Sequence, residues 1–190
     1  MHINSYNSLD KIIASFRSKE LKKNFSLADK KILDFGCGSN FKQIKKIYEK
    51  CSEITLVDRV TKNFQDGKFI FINYENDLNI LKNDIKEKHY DIIVLSAVIE
   101  HLDYPEDILN ILKFKLNENG VFFLTAPGKK SKPILEFMAF KLGFINPDLV
   151  REHKRYYDQK EYEILSGKID LKIEKFYFFQ FGLNTVCILN

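Results

Sequence analysis

The residues of this chain best arranged for chemistry are Asp34-Phe35-Gly36-Cys37-Gly38-Ser39-Asn40. They follow a short apolar run and precede a helical pattern. Glycine at such a turn permits positive φ and lets a ligand come close to the backbone. The helix start beyond it offers free N–H groups and a positive dipole end. The turn therefore suits a carboxylate or a phosphate, and on its own is also compatible with a tight turn that binds nothing. Asp58 ends the next predicted strand, beside Arg59. Its carboxylate can accept hydrogen bonds from both hydroxyls of a ribose. A solvated turn residue, or a partner for Arg59, is the plainer alternative.

Two ligands compete for this turn. A nicotinamide dinucleotide wants G-x-G-x-x-G, whose third glycine allows close helix–strand packing. Phe41 stands at that third position. Asp34 would also face an anionic pyrophosphate unfavourably, whereas an acid there suits an ammonium group. S-adenosylmethionine carries an ammonium, a carboxylate, a sulfonium and a ribose. The residues fit it better, with S-adenosylhomocysteine as the product.

A second set of reactive residues lies further on. Glu100-His101 follows another apolar run. An imidazole titrates near neutral pH, so His101 is a candidate general base or substrate contact; a helix-start histidine bonded to backbone is the alternative. Arg151-Glu152-His153-Lys154-Arg155-Tyr156-Tyr157 mixes cations, a histidine and aromatics. Arg151 and Arg155 are candidates to hold a phosphate or carboxylate bidentately. His153 is a second candidate base, and Tyr156 and Tyr157 are candidates to pack on an acceptor. A buried aromatic anchor with solvated basic neighbours reads equally from the same residues.

The elements that must position these groups alternate. Lys31–Phe35, Glu53–Val57, Lys68–Ile72, Asp91–Leu95 and Val121–Thr125 read as strands. Helical patterns lie between them, at 41–51, 77–88 and from Pro105 to a close at Asn119-Gly120. Leu9, Ile12, Ile13, Phe16, Leu21 and Phe25 mark an amphipathic helix ahead of the first strand. Such alternation predicts an α/β fold with a parallel sheet covered on both faces. Leu171–Phe179 and Asn184–Leu189 are joined too closely for a parallel crossover, so they form an antiparallel hairpin. One domain is expected, with a helical cap at 1–28 and an acceptor-side insertion at 131–167 over the strand C-terminal ends.

At this point the chain resembles the class I S-adenosylmethionine-dependent methyltransferases. Lys31-Ile32-Leu33-Asp34-Phe35-Gly36-Cys37-Gly38-Ser39-Asn40 is similar to that family's first motif, and Ile54-Thr55-Leu56-Val57-Asp58 to its second strand. Tyr90 through Leu102 resembles the fourth-strand motif, and Asn117 through Val121 the approach to the fifth. The resemblance implies a Rossmann-like sheet of seven strands with an antiparallel end. It implies that Asp34, Gly36, Cys37 and Gly38 shape the methionine end and that Asp58 and Arg59 lie at the ribose. Asn76 and Asp77 would lie near the adenine, and Ser96, Ala97 and His101 near the sulfonium.

Two positions depart from the pattern. Asn40 replaces a third glycine, and asparagine tolerates left-handed backbone better than most residues. Some quinone-pathway relatives carry a metal-linked Glu-x-x-Glu-His, but its first position here is Ala97, so no metal is expected. His153 to Tyr157 is similar to a His-x-x-Phe/Tyr-Phe/Tyr segment of sugar, lipid and surface-polysaccharide methyltransferases.

Bulk properties narrow the partners. The chain has 190 residues, enough for one core without staples, and a net charge of +4. No run of five like charges or arginine-rich stripe appears, so nucleic acid is not indicated. Cys37, Cys51 and Cys187 show no CxxC spacing and read as buried thiols in a reducing compartment. No stretch reaches the ~20 apolar residues of a membrane helix, and no secretory leader appears, so the expected location is cytoplasmic. Phe137, Met138 and Phe140, if exposed, would form a homodimer contact or a lid.

The expected reaction is methyl transfer to an oxygen or nitrogen of a small or carrier-linked acceptor. A sugar or phosphate-bearing metabolite of surface-polysaccharide biosynthesis is the leading class. A tRNA or protein methyltransferase is the alternative, although Ser96-Ala97-Val98-Ile99 stands where an Asn-Pro-Pro-Tyr-like segment would favour base methylation. A catalytically silent S-adenosylmethionine-binding partner subunit is the third reading.

Overall fold

The computed structural model describes residues 8–143 and 147–190, with side chains from residue 14 onward apart from 149. Residues 1–7 of the expected cap, and the side chains of Leu9, Ile12 and Ile13, lie outside the described residues.

Among the described residues, eight strands form one sheet: β1 (Lys31–Phe35), β2 (Glu53–Asp58), β3 (Phe64–Asp66), β4 (Phe69–Asn73), β5 (Tyr90–Ser96), β6 (Leu116–Pro127), β7 (Ile173–Phe179) and β8 (Asn184–Leu189). Their order is β3-β4-β2-β1-β5-β6-β8-β7. Strands β4, β2, β1, β5 and β6 run parallel, so their C-terminal ends share one edge. β8 enters antiparallel between β6 and β7. The expected parallel sheet and terminal hairpin are therefore present. The strand count is eight rather than seven, because the short β3 adds an antiparallel edge beyond β4.

Among the described residues, seven helices accompany the sheet: α1 (Ser8–Asn24), α2 (Phe41–Ile47), α3 (Leu78–Asn83), α4 (Pro105–Lys113), α5 (Lys132–Phe140), α6 (Pro147–Arg151) and α7 (Gln159–Lys168). The apolar strands β1 and β5 have little polar alternation because both their faces are covered. On one face Leu33, Val57, Ile93 and Leu124 pack with Leu81 of α3, Leu109 and Leu112 of α4, and Tyr162 of α7. On the other, Ile32, Ile54, Leu56 and Val94 pack with Leu21 of α1 and Ile44 of α2.

Three boundaries differ from the sequence reading. The helix expected over 77–88 stops at Asn83; Ile85 is still buried, but from a loop. α4 ends at Lys113, so Asn119-Gly120 does not close a helix. It lies where β6 shifts register, between Leu116 opposite Tyr90 and Val121 opposite Ile92. A side chain at Gly120 would come within 2.7 Å of the Tyr90 carbonyl oxygen, which is why only glycine fits there. Finally, the 131–167 insertion is not one unit. α5 and α6 roof the strand ends, whereas α7 belongs to the core through Tyr162 and Leu165. Among the described residues, no helix is long and apolar enough to cross a membrane.

Candidate functional site

The turn after β1 is built from its own backbone. Gly36 and Gly38 both have positive φ, 81° and 71°. Gly36 donates its N–H to the Val57 carbonyl at 2.7 Å, which bends the chain back across β2. A side chain there would collide with Val98 at 2.3 Å. Gly38 donates to Asp58 Oδ2 at 2.7 Å, and Val60 donates to Oδ1 at 3.0 Å. Asp58 thus fastens the turn to the end of β2. Asn40 is not left-handed: its φ is −84°, and its side chain accepts from the Gln43 N–H to cap α2.

Asp34 is buried, and Tyr48 donates its hydroxyl to Asp34 Oδ2 at 2.7 Å. Burial pushes the Asp34 carboxyl up to about 7; the Tyr48 hydrogen bond opposes that rise and nearby Asp58 adds to it. Burial also raises the Cys37 thiol, so it is not a nucleophile at neutral pH.

A cavity of about 840 Å³ opens at the strand C-terminal ends. Its floor is Asp34, Gly36, Cys37, Ser96 and Ala97. Tyr48 and Ile44 line one wall, with Arg17 and Leu21 of α1; Phe179 and Phe181 of the terminal hairpin line another. Ile134, Leu135 and Met138 of α5 form the roof. Ala97 has φ of 58°, unusual for a residue with a side chain, and lies where strained backbone often marks function.

Glu100, His101 and His153 share the remaining wall. Glu100 and His101 occupy a 3₁₀ turn, Ile99–His101, while His153 follows α6. The two imidazole centroids are 4.9 Å apart. Glu100 is 1% exposed, and burial pushes its carboxyl up to about 7, against the pull of the Arg17 charge. Burial, then His101 and Arg17, hold the His153 imidazole down at about 4. His101 is also lowered, chiefly by burial. Burial thus favours the neutral form of both rings.

Several expected site residues lie elsewhere. Gly38, Asp58, Arg59, Asn76 and Asp77 do not line the cavity. Arg59 is exposed. Asp77 caps α3 by accepting from the Asn79 N–H at 2.8 Å, and Asn76 has φ of 60° in the turn before it. Arg151 is exposed and paired with Asp148 at 3.0 Å. Arg155 donates to the Asp103 carbonyl at 2.9 Å. Tyr156 does not line the cavity, and its hydroxyl lies 3.4 Å from His153 Nδ1. Tyr157 is core, not acceptor surface: it is 2% exposed and donates to the Ile99 carbonyl at 3.3 Å. Arg17 and Tyr48 went unnoticed in the sequence because nothing in their helices distinguishes them from a charged face and an apolar stripe. Glu100 was visible only as the neighbour of His101.

Comparison with known proteins gives a consistent result. The family model described as "Methyltransferase domain" matches residues 8–175. A curated "Ubiquinone biosynthesis O-methyltransferase" from Rickettsia bellii is 23% identical over 167 residues, covering 83% of this chain and 68% of the relative. A SAM-dependent methyltransferase from Archaeoglobus fulgidus superposes with a TM-score of 0.65 at 16% identity, covering 92% of this chain and 93% of the other. A Burkholderia thailandensis 1,6-didemethyltoxoflavin-N1-methyltransferase, solved with 1,6-didemethyltoxoflavin and S-adenosylhomocysteine, gives 0.64 at 14%, covering 91% and 75%.

Proposed function

Because this chain belongs to the methyltransferase domain family, we propose that it transfers the methyl group of S-adenosylmethionine to an oxygen or nitrogen of a small acceptor inside the 840 Å³ cavity. The observation that carries this reading is the shared wall. The glycine turn with Asp34 and the two neutral histidines face one mostly apolar space. When bound, S-adenosylmethionine supplies a methyl group already activated by the sulfonium.

The residues present fit that ligand. Asp34 is a buried carboxylate aimed into the cavity and needs a cation to ionise fully. An ammonium group meets that need. Gly36 presents bare backbone where a side chain is forbidden. Asp58 keeps the turn closed in this structure, and its carboxylate is also the group suited to a ribose. The neighbour from Burkholderia thailandensis, which holds S-adenosylhomocysteine, supports the assignment.

The chain contributes alignment, exclusion of water and a proton acceptor. Ile134, Leu135, Met138 and Phe179 keep water from the acceptor. His101 or His153 takes the proton of an acceptor hydroxyl as the oxygen attacks. Arg151 and Arg155 make their contacts outside the cavity. That favours an acceptor with an apolar body over a sugar phosphate of a polysaccharide pathway. The curated relative's name, an O-methyltransferase of ubiquinone biosynthesis, leans toward oxygen.

Calorimetry tests the reading. The wild type should bind one equivalent of S-adenosylhomocysteine, and Asp34→Ala should bind about tenfold or more weakly, the ordinary scale for losing a buried charge-assisted contact. Absence of binding in the wild type would sink the proposal. A methylated product from a panel of hydroxylated apolar acceptors, detected by mass spectrometry, would separate an active enzyme from a silent binding subunit.

A further inference from the structure

Glu100, His101 and His153 leave an unusual account of hydrogen bonds. Each offers one ligand atom, and these atoms all lie within 4.8 Å of one another. Glu100 Oε2 and His101 Nδ1 are buried and make no hydrogen bond. A buried carboxylate oxygen without a partner is costly, so such atoms call for a reason. The groups are held from behind. The Lys154 N–H donates to the Glu100 carbonyl at 2.8 Å. His101 bonds to the Glu152 backbone, and His153 Nδ1 lies 3.4 Å from the Tyr156 hydroxyl, which leaves its Nε2 for another partner. Fixing one ring nitrogen while the other is open is how proteins orient metal ligands.

We propose that Glu100, His101 and His153 bind one divalent transition-metal ion, with its open positions facing the cavity. Two imidazoles and a carboxylate form a set suited to zinc, manganese or cobalt, and three protein ligands with a vacant side mark catalytic rather than structural sites. Glu100 and His101 alone are too few ligands for a metal ion. His153 arrives from beyond α6 and completes the set. Arg17 of α1 faces the same cluster and competes for Glu100, so affinity is modest. The role of the ion rests on the methyl-transfer reading. It binds the acceptor's hydroxyl oxygen beside Ala97 and lowers that oxygen's proton affinity. With the ion bound, the imidazoles serve as ligands and give up the proton-accepting role they have in the metal-free site; the hydroxyl proton passes to bulk water as the acceptor enters and coordinates, before methyl transfer.

The test uses the whole chain, dialysed against EDTA and titrated with Co2+ by absorption and with Mn2+ by calorimetry. One ion per chain is expected. His153→Ala and the isosteric Glu100→Gln should each weaken binding at least about tenfold, the scale of losing a ligand or its support. Arg17→Ala should tighten it, because a competing cation is gone. His89→Ala, whose ring bonds to Glu53 away from the cavity, should bind as the wild type does. No ion bound by the wild type, or unchanged binding in Glu100→Gln and His153→Ala, overturns the proposal. S-adenosylhomocysteine titrated into the same samples separates the two readings. Its binding without metal leaves the methyltransferase assignment standing, and metal binding without it overturns that assignment alone.

Discussion

The glycine turn at 34–40 and the roof made by α5 and α6 face each other across one cavity, but they are held by different forces. The turn is fastened by backbone: Gly36 to Val57, Gly38 to Asp58, with Leu33 and Phe35 buried beneath it. The roof has a small core of its own, Ala139 and Val150 with Leu135 and Met138 against them. Ile134, Phe137, Phe140 and Leu142 stay exposed. In the proposed function the ligand that never changes is the one read by the sheet, where any displacement disturbs the main core. The proposed acceptor lies against an element with a small core of its own, whose replacement costs the fold little. Phe137 and Phe140 are exposed as a dimer contact or lid would require, while Met138 turns to the cavity.

On that contrast, Gly36→Ala is the most damaging single change. A Cβ at 2.3 Å from Val98, on backbone with φ of 81°, combines overpacking with left-handed strain. The expected loss is about 3–5 kcal/mol in urea unfolding, with loss of S-adenosylhomocysteine binding. Adding Val98→Ala should restore part of the stability and not all of it, since the backbone strain remains.

Asp34→Asn sharpens the comparison by separating binding from stability. The folded Asp34 holds its proton up to about 7, against 3.8 as the ordinary value. Its stabilising contribution is complete below pH 3.8 and is lost as pH rises toward 7, because the unfolded chain ionises first. At pH 8 the neutral variant should therefore be more stable, by on the order of 2–4 kcal/mol. It should bind S-adenosylhomocysteine more weakly at the same pH. Equal stability at pH 5 and pH 8 in the wild type and the variant would contradict this.

Tyr157→Phe tests the joint between core and wall. It removes the donor to the Ile99 carbonyl, at the start of the turn that carries Glu100 and His101. A cost of about 1 kcal/mol is expected, with a larger proportional fall in turnover than in cofactor affinity. Phe137→Ser should be the smallest change, within about 0.5 kcal/mol by thermal unfolding. A large destabilisation there would mean the roof is tied to the core after all.

The parts readable in the sequence were those that are local. Asp34, Gly36 and Cys37 are contiguous, and alternating apolar runs announced five parallel strands. β3 was missed because Phe64-Gln65-Asp66 is short and exposed, and Phe64 is held by stacking on Phe71 rather than by burial. Ile85 extended a helical pattern into a loop, since periodicity records burial and not backbone. Arg151 and Arg155 have the right chemistry for an anion, but partners outside the cavity hold them. Whether a side chain points in or out of an irregular segment depends on packing that no spacing encodes. The meeting of Arg17, Glu100 and His153, from three separate elements, has no local signature.

The place of β8 in the sheet has a consequence for how the chain is made. β6 is synthesised well before the strand that covers its second edge. Until Asn184–Leu189 emerges, that edge and its buried apolar residues stay open to other chains. The ribosome-bound protein is therefore exposed to misassociation for as long as β7 and the hairpin take to appear. Premature termination anywhere before β8 should yield aggregate rather than a smaller folded enzyme.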